Sequence, residues 1–184
     1  MSNIYIYAEQ FDNVVEPSAA ELVTLVREFS KKSGQKITLL AFGEDTSAIA
    51  SQLAFDDVSV TVVKTPVSAF QDDAISVVVA DALEKLKPDS VIIPASRTAR
   101  ALFSRVAVRL GVGLTADCSE LDVDEHGEFI QRKSAFGANA MCVCVEKGGP
   151  KLVTVLVGGI HESAPLSGTV PAVTELEGLE AASR

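Results

Sequence analysis

Ser96, Arg97, Thr98 and Arg100 follow an apolar run, Ser90 to Pro94, and lead into a helical pattern. Helix N-termini attract anions, and open α/β sheets take ligands beyond the carboxyl ends of their strands. A nucleotide or carboxylate site is one reading of this segment. Neither G-x-G-x-x-G nor G-x-x-x-x-G-K-[ST] occurs in the chain, so the usual glycine-rich phosphate cradle is missing. That favours the other reading, a solvated helix start whose Arg97 and Arg100 pair with acidic residues across a subunit boundary, a task suited to arginine.

The remaining reactive residues offer less. A nucleophilic Cys118 needs a positioned base, and His126, in a turn, and His161, near the tail, have no spacing to it that makes a dyad. Cys142-Val143-Cys144 puts two thiols on one strand face, but C-x-C between apolar flanks is a poor zinc pattern; buried, inert thiols and no metal are expected. Glu9, Asp12 and Glu16 read as a solvated acidic loop, with no second carboxylate at a spacing that suggests acid–base catalysis. Ala135-Phe136-Gly137-Ala138-Asn139 lies between two strands. Its Asn139 either pins a partner or closes a local side-chain bond beside a positive-φ Gly137. An exposed Phe136, with Met141, would mark an interface. No catalytic residue is assigned.

The elements that must position these residues alternate. Asn3 to Ala8 reads as a strand, Gln10 to Pro17 as a polar loop. Ser18 with Glu21 forms a capping-box pattern, and Ala19, Leu22, Val23, Val26 and Phe29 then repeat at helical spacing up to Gly34. Strands are expected over Ile37 to Phe42, Val58 to Val63 and Ser90 to Pro94, the last wholly apolar as in a buried parallel sheet. Helices are expected over Thr46 to Leu53, capped by Asp45 or Thr46, over Phe70 to Lys87, and from a Thr98 cap to Gly111. Strand and helix in alternation predict an α/β fold, an open parallel sheet with helices on both faces. After Gly113 the pattern changes. Leu121 to Val123, Phe129 to Arg132, Met141 to Val145 and Leu152 to Val157 flank two turns, Asp124 to Gly127 and Lys147 to Pro150, and read as an antiparallel β meander. Residues 1–160 form one domain in this reading, and 161–184 a tail or linker, partly strand around Thr169 to Leu176.

Composition bounds the function. The 184 residues carry a net charge of −9, which argues against nucleic acid and anionic membrane surfaces as partners. No apolar run approaches the length of a membrane span, and the N-terminus lacks a signal-peptide pattern. Three cysteines make no secreted disulfide framework. The expected compartment is the cytoplasm, or the mitochondrial matrix if the source is eukaryotic.

Several segments, in order, resemble the N-terminal domain of the electron transfer flavoprotein alpha subunit. They are Val91-Ile92-Ile93-Pro94-Ala95-Ser96-Arg97-Thr98, Arg105 to Gly111, Gly113-Leu114-Thr115-Ala116-Asp117-Cys118, Ala135 to Met141 and Lys151 to Val157. Lys133 and Ser134 stand where the family motif has Arg and Pro, and Ala138 replaces its second glycine. The resemblance implies a sheet like that of adenine nucleotide alpha hydrolases, in a subunit that pairs with a beta subunit. It also implies flavin adenine dinucleotide (FAD), held mainly by a C-terminal domain that would begin about where this chain stops, with none bound tightly to this chain alone. Such an assembly relays electrons between dehydrogenases and an acceptor. This chain's share would be docking and framing through Arg97, Arg100, Phe136, Asn139 and Met141. The alternative is an autonomous nucleotide-binding or hydrolysing α/β protein, with a pocket near Ala8, Phe42 and Ala95.

Overall fold

The computed structural model describes residues 3–66, 72–125, 129–135, 140–145, 148–159, 162–167 and 173–176. Seven of its strands are β1 (Asn3–Tyr7), β4 (Lys36–Gly43), β5 (Val58–Lys64), β6 (Ser90–Pro94), β7 (Leu114–Cys118), β11 (Lys151–Val155) and β12 (Val173–Leu176). They form one sheet in the order β12-β5-β4-β1-β6-β11-β7, with every neighbouring pair parallel. β1 is the pivot, pairing with β4 on one side and β6 on the other. The order of the strands reverses there.

Alternation along each strand feeds two cores. Ile4, Ile6, Leu39, Ala41, Ile92 and Val153 turn to one face. There they meet α1 (Ser18–Ser33) and α2 (Thr46–Ser51) through Leu22, Val26, Phe29 and Ile49. Tyr5, Tyr7, Leu40, Val91 and Ile93 turn to the other. That face is covered by α3 (Asp72–Leu86) and α4 (Arg97–Leu110), through Val78, Val79, Leu102 and Phe103. Tyr7 and Phe103 meet edge to face at 4.9 Å, a favoured aromatic geometry. The expected α/β sheet with helices on both faces is present.

The antiparallel part is a separate three-stranded sheet, β10 (Ala140–Cys144), β9 (Phe129–Ala135) and β8 (Glu120–Val123), in that order. It packs on the α1 side, where Phe129 meets Phe29 edge to face at 5.0 Å and Asp122 bonds Lys32 at 2.9 Å. The expected fourth meander strand is a correction: Lys151–Val155 enters the parallel sheet between β6 and β7. Leu152, Val153, Thr154 and Val155 are buried, and a strand covered on both faces belongs inside a parallel sheet. The connection from β7 to β11 is therefore a parallel crossover in which a small sheet stands where a helix usually does.

Three local expectations also change. Ser18 is the first helical residue of α1, Pro17 holds the cap position, and no side chain caps it; Glu21 serves the loop after β11 instead. Ser96, not Thr98, caps α4, because its extended backbone aims the hydroxyl at the Ala99 amide, 3.0 Å away. The polar loop at 10–17 contains a hairpin, β2 (Gln10–Phe11) with β3 (Val14–Val15), whose two turn residues Asp12 and Asn13 both have positive φ, as a tight hairpin turn demands. Asp45 caps α2 as expected, accepting from the Ala48 amide at 2.9 Å. Strand β12 lies within the stretch expected to be partly extended.

Candidate functional site

Two surfaces deserve the name of candidate site: the crevice at the carboxyl ends of β1, β4 and β6, and the outer edge of the small sheet.

At the crevice, β1 runs into Ala8 and Glu9, and β6 into Ala95 and Ser96. The two loops part there, which is where open α/β sheets take ligands. Glu9 fills the gap. It is only 3% exposed, and its carboxylate accepts a hydrogen bond of 2.8 Å from the Ser96 hydroxyl, the same hydroxyl that caps α4. The expected solvated loop is thus corrected at Glu9: the Ser96 hydroxyl and the positive end of α4 offset part of the cost of burying a carboxylate. Burial pushes the Glu9 carboxyl above its ordinary range; the Ser96 hydroxyl opposes this, the nearby Glu16 charge adds to it, and the Ala99 amide opposes it. The hairpin closes the neighbouring strand end. Gln10 Nε2 donates to the Phe42 carbonyl at 2.6 Å, and a Cβ on Gly43 would collide with Ile49 Cδ1 and stand 3.1 Å from Gln10 Nε2.

A second carboxylate stands at the end of β11. Glu21, 6% exposed, accepts from the Gly158 amide at 3.1 and 3.2 Å and from the Gly159 amide at 3.0 Å. Both glycines have positive φ, so consecutive amides converge on one anion as in a backbone nest.

Arg97 opens α4 and is exposed. Arg100 is also exposed but is paired within the chain, 2.8 Å from Asp117 Oδ1. Asp117 has a φ of 60° at an irregularity in the β7–β11 register, and its amide donates to Thr154 Oγ1 at 2.9 Å. This bulge aims the carboxylate at α4.

On the small sheet, β10 pairs with β9 alone among the described residues, and no described strand lies on its other edge. Met141 (50% exposed), Val143 (54%) and Val145 (48%) fall at alternate positions and form an apolar stripe. Cys142 and Cys144 alternate with them and are half-buried, while Cys118 is buried; none of the three is in a disulfide. The buried state expected for the thiols therefore holds for Cys118 and only partly for the pair. Phe136 and Asn139 lie outside the described residues, as do His126 and His161. Arg97 and Arg100 lie in the first turn of α4, which covers one face of the main sheet, and Met141 lies on β10 of the small sheet, which packs on the α1 side. Sequence reasoning missed Val143, Val145, Glu9 and Glu21. The first two were visible as the alternation Met-Cys-Val-Cys-Val; nothing local distinguished Glu9 or Glu21 from surface acids.

Among the described residues, no helix is long and apolar enough to cross a membrane. The sequence profile of the electron transfer flavoprotein domain matches residues 4–178. The electron transfer flavoprotein subunit alpha of Clostridium acetobutylicum is 30% identical over 169 residues, covering 89% of this chain and 50% of that protein. The subunit LctC of the lactate dehydrogenase (NAD(+),ferredoxin) of Acetobacterium woodii is 31% identical over 155 residues, covering 83% of this chain and 37% of that protein. Protein FixB of Clostridium saccharobutylicum is 31% identical over 159 residues, covering 84% and 47%. The chain spans about half the length, or less, of these curated relatives. On the extent of the profile match, with relatives named as alpha subunits agreeing, the chain belongs to the electron transfer flavoprotein family.

Proposed function

We propose that this chain is the N-terminal, alpha-type part of an electron transfer flavoprotein, and that it docks a beta-type subunit rather than performing catalysis. In the assembled protein, FAD carries electrons from dehydrogenases to an acceptor in the cytoplasm, and this domain frames it. The observation that carries the reading is the exposed stripe of Met141 and Val143 on β10 with Val145 just beyond it, on a strand that has one partner among the described residues. Exposed apolar side chains on an unpaired strand edge attract another chain, and a beta-type subunit is the partner that family membership supplies.

The residues of the strand-end crevice do not fit the dinucleotide. A phosphate at the start of α4 would meet the Glu9 carboxylate, and one at the Gly158 and Gly159 amides would meet the Glu21 carboxylate. FAD is therefore assigned to the rest of the assembled flavoprotein.

The test is a titration of the purified chain with FAD, with and without the beta-type subunit, followed by flavin absorbance and by size-exclusion chromatography. A stable complex with the subunit, and no flavin uptake by the chain alone, is expected. Tight one-to-one flavin binding by the chain alone would sink the docking reading.

A further inference from the structure

The mismatch between a dinucleotide-type sheet and its filled crevice has a specific physical form. Two places at the carboxyl edge of the sheet are shaped to receive an anion: the start of α4 behind Ser96, and the paired amides of Gly158 and Gly159. Each already holds one carboxylate of the chain, Glu9 at 2.8 Å from the Ser96 hydroxyl and Glu21 at 3.0 to 3.2 Å from the two amides. These carboxylates come from different elements, the loop after β1 and the first turn of α1, yet both are more than nine-tenths buried. Burying two like charges at one sheet edge is unfavourable unless each is held by donors. The donors that hold them are the groups a bound phosphate would use.

We propose that Glu9 at the start of α4, and Glu21 at the Gly158 and Gly159 amides, act as built-in anions, making each place a self-occupied phosphate site, with Glu9 closing the crevice. The chain in this state rejects nucleoside monophosphates and inorganic phosphate. Like-charge repulsion from Glu9 bars a phosphate from the start of α4, and the β2–β3 hairpin, held by the Gln10 bond to Phe42, covers the adjoining strand end. Removing Glu9 frees the Ser96 hydroxyl and the first amides of α4 for an external anion without altering the sheet. This inference is independent of the docking surface on β10, and either can fail alone.

The experiment is calorimetric titration of the full chain with AMP and, separately, with inorganic phosphate, for the wild type, Glu9→Ala and Glu9→Gln. Amide chemical shifts are recorded in parallel. The wild type is expected to give no saturable heat. Glu9→Ala is expected to bind at least one of the probes at least tenfold more tightly than the wild type, with salt-sensitive affinity and shifts centred on Ser96 to Ala99. Glu9→Gln keeps the side-chain volume and loses the charge; it covers the case in which the alanine variant does not fold, and should also gain affinity. Saturable AMP binding by the wild type with shifts at Ser96 to Ala99 would overturn the proposal. So would a folded Glu9→Ala or Glu9→Gln variant with no gain for either probe.

Discussion

The Ser96 hydroxyl stands between two groups, donating to the Glu9 carboxylate at 2.8 Å and accepting from the Ala99 amide at 3.0 Å. The end of β1 and the start of α4 are thereby joined through a single oxygen. Ser96→Ala removes a helix cap, worth about 1 kcal/mol, and also takes a donor from a buried carboxylate, worth about 1–3 kcal/mol. A loss of about 2–4 kcal/mol in urea denaturation is expected. Ser96→Thr should recover most of it. A loss no larger than that of an exposed surface substitution would show that the Glu9 bond contributes nothing.

The pH dependence follows from Glu9. Burial raises its folded-state pKa, with Glu16 adding and the Ser96 hydroxyl and Ala99 amide opposing. The native state then holds the proton more tightly than the unfolded chain, so the contribution is greatest below the ordinary carboxylate pKa. It is lost as pH rises from that value through the raised one. Glu9→Gln should remove this dependence: its stability relative to wild type should improve as pH climbs from about 4 to 7. Unfolding midpoints measured across that range check the sign, and a trend in the opposite direction rejects it.

Val143 separates docking from folding. Its side chain is exposed on β10, so Val143→Asp should change stability by only about 0.5 kcal/mol. The same change should weaken binding to a beta-type subunit by at least tenfold, on the order of 1.4 kcal/mol, measured by calorimetry. Unchanged affinity would move the interface off this stripe.

Phe129 anchors the small sheet to α1 through Phe29, and both side chains are buried. Phe129→Ala should cost about 3–5 kcal/mol, with amide exchange rising first in β8 and β9. A loss confined to less than about 1 kcal/mol would mean the small sheet is held by its ion pairs, Lys32 with Asp122 above all, rather than by the aromatic contact.

Gly43 tests the closed strand end. A Cβ there would collide with Ile49 Cδ1, so Gly43→Ala should cost about 1–3 kcal/mol. Adding Ile49→Val, which withdraws that methyl, should return part of the loss in a double-mutant cycle; strict additivity would contradict the contact.

The alternating order of strands and helices was legible in the sequence because period is a local signal: Ile4 to Tyr7 at two, Leu22 to Phe29 at three to four. Partner choice among strands is not local. Lys151 to Val155 follows a glycine-rich turn as a hairpin strand would, yet its burial on both faces sends it into the parallel sheet. The same holds for the site. Glu9 reads as one acid among three in a polar stretch, and only the arrival of Ser96, 87 residues later, buries it. Glu21 sits at a capping-box spacing and is taken by amides 137 and 138 residues away. By contrast, the stripe on β10 was written in plain alternation, and Met141 was legible as part of it.

The three strands of the small sheet, β8, β9 and β10, all lie in the segment that joins β7 to its neighbour β11. In an ordinary crossover that path is a helix whose hydrogen bonds are all its own. Here the link carries β10, one edge of which has no partner among the described residues, so anything that stiffens that edge limits the conformational freedom of the link and helps hold two strands of the main sheet in register. Occupancy of the outer edge is thus felt in the interior: slower amide exchange at Thr115 and Val153 would signal a visitor at Val143.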